Sequence, residues 1–143
     1  MPTLNELLNT AERRPKVLVA CQDLVEDELS RAKGMSGIAL RTAFSVIQAL
    51  DAEFIQKALN RLFDDFIDRL EPFWAETTPQ RVEQDWKSRS AELTDALLGA
   101  ADAKVAKAQN QTIKKVYSKL RPKAAGYVEN AVPGLAQVVV SFA

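Results

Sequence analysis

Residues 54–70 read FIQKALNRLFDDFIDRL. Phe54, Ile55, Ala58, Leu59, Leu62, Phe63, Phe66, Ile67 and Leu70 recur at intervals of three and four, which puts one broad apolar face on a helix. No other stretch of the chain is so strongly periodic, and Leu62, Phe63 and Phe66 are the predicted centre of a core. Asp51 stands where it can cap this helix. In EPFWAETTP the pattern stops. Pro72 disfavours helix in the residue before it, and Thr78-Pro79 reads as a cap and first position of a new helix.

The same reading extends toward both ends. Thr3-Leu4-Asn5-Glu6 is a capping box. Leu4, Leu7, Leu8 and Ala11 then share a face. Pro15 fits the first position of a second helix, whose stripe is Val17, Leu18, Cys21, Leu24, Val25 and Leu29. KGMSG is a loop, with Ser36 as N-cap of the next helix. That helix, Ile38 to Leu50, is apolar nearly all round, which predicts a central and buried element. From Pro79 to Lys119 runs a weaker helical stretch, either one thin helix or two broken near Asn110. No β pattern appears apart from the short run Val138 to Val140. The expected fold is all-α: one compact bundle of about six or seven helices over residues 1–143.

An internal repeat, about 14–72 and 79–143, is one reading of the pattern. Val46, Ile47 and Leu50 match Val116, Tyr117 and Leu120; with one deletion, Leu59 to Leu70 match Val128 to Val139. Both segments then read as helix, turn, helix, with Pro122 opening the second helix and Pro133 kinking it. Shared helical periodicity is the other explanation. On either reading the tail AQVVVSFA is expected to dock into the core, with Val139 placed like Leu70, since four large apolar side chains at a free end lose more in water than they gain by fraying.

Composition narrows function more than it defines it. Nineteen basic residues balance nineteen acidic ones in 143 residues, so no net field steers the chain to nucleic acid. There is no histidine, which removes the commonest general base and most zinc sites. The expectation is a protein that is not an enzyme, with no catalytic residues, cofactor or metal. Asp64, Asp68 and Glu71 share a face, but Arg61 and Arg69 flank them, which makes a solvated charged face the preferred reading over a hard-ion site. One cysteine excludes an internal disulfide, and Cys21 reads as a small buried hydrophobe. With no apolar leader and no membrane-span pattern, a cytoplasmic location is expected.

Two surfaces are candidates for interaction. Lys104, Lys107, Lys114, Lys115, Lys119, Arg121 and Lys123 form a basic run with no acid between Asp102 and Glu129. It suits an anionic membrane surface; the alternative is internal pairing with Asp51 to Glu76, where seven acids face three bases. Only Tyr117 and Tyr127 are aromatic nearby, a poor platform for bases, so nucleic acid is disfavoured. Phe73 and Trp74 either close over the core or anchor a partner.

SGIALRTAFSVIQAL followed by FIQKALNRLFDDFIDRLEPFW resembles an uncharacterised family of small helical bacterial proteins, associated with actinobacteria. The likeness lies in the glycine loop before an apolar helix and in the proline–aromatic–tryptophan end. It implies an all-helical fold and a bacterial cytoplasm, and carries no site residues. The expected function is a non-enzymatic helical interaction or scaffold protein, with an unidentified protein partner or as a homodimer. The alternative is a peripheral lipid- or granule-surface-binding protein using amphipathic helices and the basic run 104–123.

Overall fold

Thr3 caps the first helix as its sequence requires: its hydroxyl oxygen accepts from the Glu6 amide at 3.1 Å. The computed structural model describes all residues, 1–143. It contains seven helices and no strand: α1 (Leu4–Leu8), α2 (Arg13–Arg31), α3 (Gly34–Leu50), α4 (Phe54–Ala75), α5 (Val82–Ser88), α6 (Ser90–Ala106) and α7 (Gln111–Phe142). The all-α expectation and the helix number hold. Of the two readings of the stretch after Pro79, the structure has the break near Asn110, whose side chain accepts from the Ile113 amide at 3.2 Å and starts α7. A further break falls at Arg89, between α5 and α6.

The core gathers at one end of the bundle. Leu4, Leu7 and Leu8 of α1 pack with Leu70 and Trp74 of α4, Val82 and Trp86 of α5, and Val132 and Val139 of α7. The Leu4 amide donates to the Glu71 carboxylate at 2.7 Å, and the Trp74 indole donates to the Pro2 carbonyl at 2.8 Å. These bonds satisfy buried donors that would otherwise cost about 1–3 kcal/mol each. The tail docks through Val139, which is 1% exposed, and the Arg13 guanidinium donates to the Phe142 carbonyl at 3.1 Å; Val138 and Phe142 are half-buried, while Val140 faces outward at 39% exposure.

Three sequence expectations about prolines are corrected. α4 runs through Pro72 to Ala75. α7 runs through both Pro122 and Pro133 without the turn that a second helical hairpin needs, so the halves are not two similar hairpins. A proline inside a helix frees the carbonyl four residues earlier. Those carbonyls belong to Asp68, Ser118 and Glu129, all exposed, where water can bond them. Pro15 is the third residue of α2 rather than its first, still within the turn where a missing N–H is harmless.

The fourth correction matters more. α3 is peripheral, not central. It begins at Gly34, whose φ of +72° favours glycine, and it packs on α2 and α7. Only Gly37, Leu40 and Ile47 are buried. Met35, Ile38, Val46 and Leu50 face outward, at 83, 54, 48 and 64% exposure. Apolarity all round the helix therefore reflects two different faces, of which one meets the bundle and the other meets solvent.

Candidate functional site

Beneath α3 the bundle is hollow. α2 carries the expected apolar stripe, yet only Val17 of it is buried. Leu24, Val25 and Leu29 on α2, Leu59, Leu62 and Phe66 on α4, and Leu120 and Val128 on α7 are half-exposed. The expectation that Leu62, Phe63 and Phe66 form the core thus holds fully for Phe63 alone. All three line a cavity of about 380 Å³, bounded by α1, α2, α3, α4, α6 and α7. Of its 29 lining residues 27 are hydrophobic; Glu28 and Arg121 are the exceptions. The hollow also shows in the surface area. A folded chain of 15.8 kDa should expose about 7,300 Å², whereas this one exposes 8399 Å².

The size of the cavity decides what it can be. Left bare, its half-exposed wall forgoes about 25 cal/mol for every Å² of apolar surface that stays uncovered. A whole domain is stable by only about 5–15 kcal/mol. Water gains little there, because almost nothing in the wall can hydrogen-bond to it. The lining runs along α7 from Tyr117 to Val139. At 1.5 Å per residue that is about 33 Å, so the space is long rather than round.

Its polar lining is Glu28 on α2 and, on α7, Arg121 with the Tyr117 hydroxyl. Tyr117 and Arg121 line both the apolar cavity and a surface hollow shared with Lys114 and Ser118. Asp102 of α6 organises this rim. It accepts from Arg121 Nε at 2.8 Å and Nη2 at 3.1 Å, and from the Tyr117 hydroxyl. The Arg121 bonds first, and the Tyr117 bond second, hold the Asp102 carboxyl below the usual carboxylate range. Burial, then the bond to Asp102, pushes the Tyr117 hydroxyl up. Lys114, half-buried beside them, has no acidic partner within ion-pair distance. Cys21 lies in the cavity wall, and burial raises its thiol to about 11, so it stays protonated and unreactive at neutral pH.

The other sequence candidates separate. Trp74 is 1% exposed, so it is core and not a surface anchor. Phe73 is half-buried under the Arg89 guanidinium, 4.5 Å from its ring centroid. Asp64 pairs with Arg14 at 2.9 Å and Glu71 serves Leu4, so these carboxylates work in separate contacts. The basic run is largely not neutralised by the acidic segment: Lys104 reaches Asp65 at 3.7 Å and Arg121 pairs with Asp102. Lys107, Lys115, Lys119 and Lys123 are exposed and lie in no ion pair. Sequence reasoning missed the cavity altogether, because its wall residues look the same in one dimension as those of a filled core.

The fold and the hollow define a class: small all-helical proteins with an apolar interior cavity and a polar rim. The chain belongs to a family of unknown function, DUF6918, which it matches over residues 4–143. No curated protein matches the chain, and no solved structure does. No helix is long and apolar enough to cross a membrane.

Proposed function

We propose that the protein is a non-enzymatic binding protein whose ligand is a single-chain amphiphile, such as a long-chain fatty acid, held with its chain inside the bundle. The observation that carries this is the apolar cavity of about 380 Å³ with 27 hydrophobic lining residues out of 29. A dry apolar cavity of about 150 Å³ accepts benzene, which scales to roughly fifteen carbons here. The elongated lining favours an extended chain over a fused ring. The only charged lining residue on α7, Arg121, sits at one end beside Lys114 and Tyr117, which suits an anionic head group there. With one cysteine, held as a free thiol, a cytoplasmic setting fits this reading.

The test is titration of the delipidated full chain with palmitate and with octanoate, read by calorimetry. The expected result is one palmitate per chain and at least tenfold weaker octanoate. Ala131→Trp places a bulky side chain into the cavity from α7 and should abolish uptake while raising Tm. A folded protein that takes up no palmitate, or an Ala131→Trp variant that binds it unchanged, contradicts the proposal.

A further inference from the structure

The roof of the cavity is unusual on its other side. Around α3, Leu40, Phe44 and Ile47 point inward, with Leu40 and Phe44 in the cavity wall. Half a turn away lie Met35, Ile38, Ala39, Thr42, Val46, Ala49 and Leu50, all exposed and none charged. Such a continuous apolar strip on a peripheral helix marks a docking surface.

The charges around the strip identify what it meets. From Leu29 to Leu50 there is no acidic residue, while Arg31, Lys33 and Arg41 are basic. Arg41 is engaged within the fold: its guanidinium donates to the Ala32 and Leu29 carbonyls, which ties the start of α3 to the end of α2. Lys33 is exposed at the α3 N-cap. On α7, Lys115, Lys119 and Lys123 stand at four-residue spacing along one exposed edge. Lys123 reaches Ser36 of α3 at 3.0 Å, so this basic column ends against the start of the apolar strip. At the far end Asp51 is engaged with Lys57 at 2.9 Å, which leaves Glu53 as the one unpaired acid just beyond Leu50, at the opposite end of α3 from the basic column.

We infer that the outer face of α3, bordered by Lys33, Lys115, Lys119 and Lys123, docks on an anionic lipid bilayer, lying in the interface rather than spanning it. An apolar helix face supplies partition into the acyl boundary, and the cations supply attraction to acidic head groups. A second copy of the chain fits less well, because pairing the same face brings two uncompensated basic columns together. The inference deepens the chain-binding reading and rests on it for its purpose: α3 roofs the cavity, so its docking places the bound chain beside the membrane that supplies or receives it.

The experiment is flotation of the full chain with vesicles of phosphatidylcholine alone or mixed with phosphatidylglycerol, at low and high salt. Binding to the anionic vesicles, weakened by salt, is expected. Met35→Glu with Ile38→Glu changes only exposed positions and should cut the floated fraction on the order of tenfold, with palmitate uptake in solution unchanged. Lys119→Glu with Lys123→Glu should remove the preference for anionic vesicles. Ala131→Trp should float like the parent chain yet take up no palmitate, so failure of the docking surface and failure of the cavity are separate results. Absence of flotation, flotation indifferent to the Met35 and Ile38 changes, or a dimer in light scattering that those changes dissolve would each overturn the inference.

Discussion

The two ends of the bundle are built from the same residue types and behave differently. At the closed end, α1, α5 and the last turns of α4 and α7 interlock around Trp74 and Trp86, both 1% exposed. At the open end, α2, α3 and the first half of α7 present leucines, valines and phenylalanines to a hollow. The difference is one of covering. Trp74 has α1 laid over it and the Pro2 carbonyl to accept from its indole. Phe66 and Leu62 face across to α3 and α7, and the facing helices stand too far off to fill the space. Stability is thus concentrated at one end, and the other end keeps unspent apolar surface for a ligand.

This contrast can be broken by substitution. Trp74→Ala at the closed end should cost about 3–5 kcal/mol, since it removes a buried indole and orphans a carbonyl. Phe66→Ala at the open end should cost about 1–2 kcal/mol, because that side chain is only half-covered and its removal enlarges an existing hollow. Equal losses in thermal or denaturant melts would mean that the open end is packed like the closed one.

The attachment of α3 sharpens the comparison. A Cβ on Gly37 would come within 2.5 Å of the Ala32 carbonyl carbon, and backbone cannot give way as a side chain can. Gly37→Ala should therefore cost about 1–3 kcal/mol, and the loss should fall on the open end. Proteolysis should cut near residues 32–50 faster in this variant, while the closed end keeps its protection; a variant as resistant as the parent chain would show that α3 is not held by this close approach.

The smallest expected effect is chemical. A Cys21 thiol raised from 9.0 to about 11 holds about a hundredth of the ordinary thiolate at neutral pH. Alkylation by iodoacetamide should be correspondingly slow, rise with pH to about 11, and slow further when palmitate fills the cavity. Rapid alkylation at neutral pH, or a rate blind to palmitate, would contradict both the burial of the thiol and its place in the wall.

How much of this was legible in the sequence depends on which physical quantity a residue reports. Caps are local, and Thr3 and Asn110 were or could be read from side-chain chemistry alone. The α4 stripe was legible because periodicity survives any tertiary context, and the tail could be placed because Val139 is too apolar to leave free. Proline was misread at 72 and 122 because its cost depends on whether the freed carbonyl meets water, and that is a property of the neighbours. α3 was misread for a related reason. Apolarity says that a side chain avoids water, but not whether protein, ligand or lipid replaces the water. The cavity was illegible because a volume is the difference between side chains and the space among six helices, and no stretch of chain carries it.

Hydrogen–deuterium exchange of the full chain, with and without saturating palmitate, tests most directly the claim that the open end is a binding site. The account predicts new protection in the second half of α2, in α3 and in residues 117–139 of α7, with α5 unchanged because none of its residues lines the cavity. Saturating palmitate that protects no segment, or protects α5 as much as α3, would contradict it.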